Sequence, residues 1–379
     1  MTMTTPTLGG LRATACALLA GLALAAPLAL LATLPARAQA PGPTTVGLST
    51  LNVDGMPVTL VYPSAQAALP VAFGPFTLNV AQDAAPLPGV RRLVVLSHGT
   101  AGSTGADHDL AATLARAGFV VAQPLHPGDN FRDASRAGPA AWQTRPQDVS
   151  RVIDALARHP QWQPLLALDR VGVHGMSAGG VTALALAGAQ WRLLDLLRHC
   201  QAQADADAGF CFNGMPDPAA RAARLVSYQS AKGVPEAFLP ASVTALHGGR
   251  SPAAAGDDLR PDPRVAAVTV AVPVAALFST SSLARLRLPV GVVSADQDTM
   301  LQPAFHARRL LRDCPACTLL ADLRGAGHMD LLSPWPADVA RSTAARQYLG
   351  GQPAPGFDTR QRDAAFAAIA AFYRRELGR

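Results

Sequence analysis

The chain has 379 residues, 49% of them hydrophobic and 15% charged. That balance can bury a large core and excludes a disordered chain. Its formal charge of +6 comes almost wholly from scattered arginines, Lys232 being the sole lysine. A nucleic-acid groove needs a concentrated basic stripe with aromatics among it, so no nucleic-acid partner is expected.

The N-terminus reads as an export signal. Arg12 precedes an apolar run from Ala13 to Leu34, broken by Pro27, and Ala36-Arg37-Ala38 follows as a small-x-small cleavage site. Residues 1–38 are therefore expected to be a signal peptide, with Ala40 a second cleavage position. An uncleaved anchor is the competing reading, because the run approaches spanning length. Residues 39–379 form one expected domain, with no stable membrane insertion after cleavage. The expected address is periplasmic or secreted, in a bacterium.

Cys16 leaves with the signal. Cys200, Cys211, Cys314 and Cys317 remain, and an even count in an exported chain points to disulfides. Three pairings are open; the local one, Cys200–Cys211 with Cys314–Cys317, is the simplest. Cys314 and Cys317 also have redox-motif spacing, without the helix-opening position that a thioredoxin-like site uses.

After a Pro-rich leader, short β-like runs lie around Val58–Tyr62 and Pro75–Val80. Then a rhythm sets in. Arg92–Leu96, Phe119–Ala122 and Val171–Val173 read as strands. Helical patterns at Asp107–Ala117, Pro146–Arg158 and Ala178–Ala189 separate and follow them. The rhythm resumes with strands at Val265–Val272, Pro289–Val293 and Cys317–Ala321 and helices at Ala304–Leu311 and Arg360–Leu377. Short apolar strands alternating with amphipathic helices predict βαβ units and a mostly parallel sheet flanked by helices. Residues 190–263 break the rhythm and read as a cap-like insertion; a long surface excursion is the plainer reading.

The sharpest signal is Gly175-Met176-Ser177-Ala178-Gly179-Gly180, between a strand and a helix. A serine on such a strained turn projects its hydroxyl from the sheet edge, and glycines two before and two after let the backbone pass. A serine hydroxyl needs a base. His328, in the small-residue loop Gly325-Ala326-Gly327-His328, follows a late strand as that base should. The orienting acid should follow the strand before, where Asp296 and Asp298 compete; Asp298 has the better spacing. Two backbone N–H groups should stabilise the oxyanion. Ala178 supplies one, and the loop after Leu96 the other, from Thr100 or else Gly99. No cofactor or metal is expected.

Other features have plain readings. His98 fits a structural hydrogen-bonding role. Asp107-His108-Asp109 and Arg145-Pro146-Gln147-Asp148 each read as opening a helix; the first would cap it, the second would tie loops. Trp142, Trp191 and Phe278 suit either a substrate pocket or the core.

Taken in order, Leu96-Ser97-His98-Gly99-Thr100-Ala101-Gly102-Ser103, Arg145-Pro146-Gln147-Asp148-Val149, the Ser177 turn and Gly325-Ala326-Gly327-His328-Met329-Asp330 resemble the bacterial predicted dienelactone hydrolases. Those are related to plasma-type platelet-activating-factor acetylhydrolases. The resemblance covers about residues 90–335. It implies an α/β-hydrolase fold, a Ser177–Asp298–His328 triad, Thr100 and Ala178 as oxyanion donors, and a small-molecule ester substrate. There are two departures: Met176 stands where the family often has His, and true dienelactone hydrolases use a Cys nucleophile. The expected activity is hydrolysis of short or medium acyl esters through an acyl-enzyme. An amidase or peptidase, a non-catalytic binder and a thiol oxidoreductase are the rivals.

Overall fold

The computed structural model describes residues 45–214, 217–230, 232–234, 261–341 and 353–378. The expected signal peptide, Cys16 and both cleavage positions lie outside the described residues, as do 235–260 of the insertion.

A ten-stranded sheet has the order β10-β9-β8-β7-β5-β6-β2-β1-β4-β3. Its parallel part runs from β6 (Val120–Pro124) through β5 (Arg91–Ser97), β7 (Leu166–Met176), β8 (Val265–Ala271) and β9 (Val290–Ala295) to β10 (Cys317–Leu323). On the other flank β2 (Met56–Ser64) pairs antiparallel with β6 and with β1 (Thr45–Val53). The hairpin of β3 (Leu69–Phe73) and β4 (Phe76–Gln82) completes that edge. The runs expected around Val58–Tyr62 and Pro75–Val80 match β2 and β4, and β1 and β3 are additional strands. Neither face of β3 is buried, which leaves its sequence without a readable pattern.

The sheet separates two apolar layers, and alternation along the strands feeds both. Leu93 and Val95 of β5 join one layer, Val94 and Leu96 the other. Helices α2 (Pro139–Arg158) and α3 (Gly179–Leu186) cover the first face with α7 (Thr280–Ala284) and α8 (Ala307–Asp313). The second face is covered by α1 (His108–Arg116) and α10 (Arg360–Leu377).

One helix starts earlier than the sequence suggests. Pro146 reads as a first-turn proline, but α2 begins at Pro139 and Pro146 lies inside it. Gly138, with φ of 94°, makes the sharp entry that an L side chain would resist.

The insertion forms α4 (Leu193–Gln203), α5 (Ala208–Cys211) and α6 (Pro218–Ser230). A Cys200–Cys211 disulfide ties α4 to α5, and Cys314–Cys317 closes the turn into β10. The cysteines thus take the local pairing. The short α9 (Ala337–Ala340) lies before the closing helix. No helix among the described residues is long and apolar enough to cross a membrane.

Candidate active site

Ligands of parallel α/β sheets bind beyond the carboxyl ends of the strands, and the singled-out residues gather there. Ser177 follows β7, Asp298 follows β9, and His328 follows β10. The turn at Ser177 is strained, with φ of 56° on a non-glycine residue. Its backbone is clamped on both sides. The Ser177 N–H donates to Ala271 O at 3.0 Å, and its carbonyl accepts from the Val274 N–H at 3.0 Å. A Cβ on Gly175 would stand 2.0 Å from Gly179 O. That contact is the physical reason a glycine sits two residues before the serine.

Three side chains form one hydrogen-bonded chain. His328 Nε2 lies 2.9 Å from Ser177 Oγ, and His328 Nδ1 lies 2.7 Å from Asp298 Oδ2. The other oxygen of Asp298 accepts from the Met300 and Leu301 N–H groups at 2.9 and 2.8 Å. A carboxylate only accepts, so Nδ1 carries the imidazole proton and Nε2 is free to take the serine's. His328 and Asp298 are buried, whereas Ser177 is half-buried and faces the cavity.

Asp296, the competing acid, points elsewhere. Its Oδ1 accepts from the Gly325 N–H at 2.7 Å, bracing the histidine loop. Asp330 does similar work, accepting from the N–H groups of Gly327 at 2.7 Å and Ala354 at 2.9 Å.

The loop after β5 approaches the serine. A Cβ on Gly99 would lie 3.3 Å from Ser177 Cβ, and Gly99 and Thr100 both line the cavity. Among the described residues the Thr100 and Ala178 N–H groups have no acceptor. Ala178 N–H sits where α3 begins, so the helix dipole adds to its pull on an anion.

The cavity over these groups holds about 930 Å³. Phe73 and Phe76 of the β3–β4 hairpin form one wall with Trp335, whose ring meets that of Phe76 at a tilt of 53° with centroids 5.6 Å apart. The sequence pattern gave no sign that this hairpin would reach the site. Leu196, Phe210 and Tyr228 of the insertion form another wall. Trp142 lines the cavity, whereas Trp191 and Phe278 are fully buried core.

His98 is a structural hydrogen-bonder, as expected: Nδ1 is 2.7 Å from Gly99 O and Nε2 accepts from the His126 N–H at 3.3 Å. Arg145 ties loops, also as expected, but from within α2. Asp107 departs from its expected role. It precedes α1 without making a side-chain cap. Burial instead raises its carboxyl to about 7.

His199, Asp207 and Cys211 lie close enough to suggest metal ligands. Cys211 is in a disulfide, however, and only a thiolate binds metal. Both His199 Nε2 and His306 Nε2 are engaged with Asp207, at 2.8 and 2.9 Å. This is an internal hydrogen-bonding cluster.

The described chain is similar to a solved ferulic acid esterase from Streptomyces cinnamoneus, with a TM-score of 0.54 over 88% of this chain and 91% of that one. The fold is the α/β-hydrolase fold. Sequence identity is 19%, so the likeness is one of architecture. No protein-family model matches the chain, and a search of the curated proteins finds no match.

Proposed function

We propose that the protein is a serine hydrolase that cleaves carboxylic esters through an acyl-enzyme, with Ser177, His328 and Asp298 as its triad. The observation carrying this reading is the continuous hydrogen-bonded chain from Ser177 Oγ through the imidazole to Asp298, on a strained turn facing the cavity.

In the first half-reaction Ser177 Oγ attacks the ester carbonyl while its proton passes to His328 Nε2. The carbonyl π pair moves onto oxygen, which the Ala178 and Thr100 N–H groups stabilise. Asp298 stabilises the imidazolium. The imidazolium then gives its proton to the leaving alkoxide as the C–O bond breaks. Water, deprotonated by the same nitrogen, repeats the sequence and frees the acid. No step calls for a cofactor.

Short or medium acyl esters are the proposed substrates, in keeping with a cavity walled by aromatic and aliphatic side chains. The named activity of the structural neighbour makes a feruloyl ester a natural member of any test panel. The insertion acts as a cap, which accords with Leu196, Phe210 and Tyr228 on the cavity wall. Two disulfides and the N-terminal signal pattern support export to an oxidising compartment. The motif run along the chain supports kinship with dienelactone hydrolase-like esterases.

The test is turnover of p-nitrophenyl acetate by the mature protein and by Ser177→Ala. The variant is expected to lose about 10⁶-fold in kcat; turnover surviving the substitution overturns the assignment.

A further inference from the structure

A second serine–histidine–aspartate chain lies behind the loop that carries Thr100. Ser97, the last residue of β5, places Oγ 2.9 Å from His126 Nε2. His126 Nδ1 is 2.9 Å from Asp148 Oδ2. All three residues are buried, and none lines the cavity. A nucleophile here would meet no substrate, so the arrangement needs another explanation.

The network continues into the loop backbone. The His126 N–H donates to His98 Nε2 at 3.3 Å, and His98 Nδ1–H donates to Gly99 O at 2.7 Å. Fully buried Arg145 donates to His98 O at 2.6 Å, to Gly99 O at 3.2 Å and to Asp129 Oδ2 at 2.8 Å. The other Asp129 oxygen accepts from the Ala101 N–H at 2.8 Å. The Gly102 N–H donates to Gly99 O at 3.2 Å. Ala101 itself is held at φ of 51°, a conformation that persists only where its surroundings enforce it. Polar groups before and after Thr100 are thus fixed, while the Thr100 N–H is left undonated among the described residues.

We propose that Ser97, His126, Asp148 and Arg145 are positioning residues for the oxyanion loop. They hold the Thr100 N–H where the substrate's carbonyl oxygen becomes an anion. The proposal rests on the reading of Ser177 as nucleophile. An oxyanion donor acts through preorganisation, because it must not reorient as charge develops. A buried network whose side chains hydrogen-bond one another and the loop backbone provides that rigidity; within it only the Arg145 Nε lacks a partner among the described residues. Burial, with Arg145 nearby, keeps the His98 and His126 imidazoles neutral. Each ring can then donate at one nitrogen and accept at the other.

The test uses Ser97→Ala, which removes one hydroxyl, and Arg145→Lys, which keeps the charge but loses the fork. Two inhibitors are compared: an aryl trifluoromethyl ketone and the alcohol of the same shape. The ketone adds to Ser177. An Oγ–C bond forms, the π pair moves onto oxygen as an anion, and the serine proton goes to His328 Nε2. The alcohol fills the cavity without forming an anion. Expected are kcat losses of about 10-fold for Ser97→Ala and about 100-fold for Arg145→Lys. KM and the alcohol's Ki should stay within about two-fold, while ketone affinity falls with kcat/KM. Folded variants with unchanged kcat and ketone affinity overturn the proposal, as does equal loss of alcohol and ketone affinity. Should Arg145→Lys fail to fold, Ser97→Ala decides. A wild-type protein that neither turns over esters nor prefers the ketone overturns the reading of Ser177, and this proposal with it.

Discussion

Asp207, just before α5, accepts a hydrogen bond from His306 Nε2 at 2.9 Å, joining α5's approach to the segment that follows Asp298. The imidazole is itself held, since its Nδ1 accepts from the Ala275 N–H at 3.0 Å. Asp207 Oδ1 also receives the Gln302 N–H at 3.3 Å. Two residues on, a Cβ at Gly209 would lie 2.3 Å from Thr299 O. The insertion is therefore latched onto the loop that aims Asp298.

Removing the latch should cost stability and aim together. Burial alone would raise the Asp207 carboxyl, but hydrogen bonds from His199 and His306 hold it down to about 2. Asp207→Ala leaves both imidazoles without their acceptor, an expected loss of roughly 2–3 kcal/mol. Denaturant unfolding measures it. A loss under about 0.5 kcal/mol, the size of an ordinary surface change, would show the latch to be decorative.

The glycine two residues after Ser177 makes a stricter demand. A Cβ on Gly179 would stand 1.9 Å from Ser97 O, a backbone atom of β5 with no freedom to move aside. Gly179→Ala must push α3 and the Ser177 turn away from the loop after β5. A displacement near 1 Å is worth about 100-fold in rate, so kcat should fall at least that far in any folded variant. Steady-state kinetics on p-nitrophenyl esters check this.

The two carboxylates after β9 should separate cleanly. Asp298→Asn removes the acceptor that fixes the His328 tautomer, with an expected kcat loss of about 10⁴-fold. Asp296→Asn disturbs a brace on the Gly325 N–H and an ion pair at 3.7 Å with the exposed Arg324, so its loss should stay under about 10-fold. The reverse order would reassign the acid.

Stability should fall in acid, with buried histidines responsible. Burial lowers His174 to about 3, and it likewise lowers His98, His126 and His306 below the ordinary imidazole value. Below about pH 6.5 the unfolded chain binds protons there that the native state refuses. Unfolding free energy should therefore rise with pH through the interval from about 4 to 6.5. Asp107 acts in the opposite sense. Its folded carboxyl is raised to about 7, so its contribution is present in acid and is lost as pH rises through 7. Asp107→Asn should raise the melting temperature at pH 8 more than at pH 5. Thermal melts across pH 4–9 test both signs.

Much of this was legible in the sequence because it is local. The Gly175-x-Ser177-x-Gly179 spacing encodes a backbone clash, and the parallel strands announce themselves as short apolar runs. The acid was narrowed to two residues; their separate hydrogen bonds distinguish them. Long-range pairings were not legible. His126 follows β6 in Pro124-Leu125-His126-Pro127-Gly128-Asp129, a strand-end pattern that could have been singled out. Nothing in the spacing links it to Ser97 or Asp148, because those contacts depend on the register between β5, β6 and α2. The β3–β4 hairpin was half-read, and its role at the cavity wall depends on Phe73 and Phe76 turning inward at a tip the sequence leaves ambiguous.

The most direct measurement is covalent labelling. The mature protein, treated with a fluorophosphonate and digested, should carry one phosphonyl adduct on Ser177. His328→Ala should slow its formation about 10³-fold or more, since the hydroxyl would have lost its base. An adduct forming as fast in Ser177→Ala, or none forming on the wild-type chain, would contradict the assignment of Ser177 as the nucleophile.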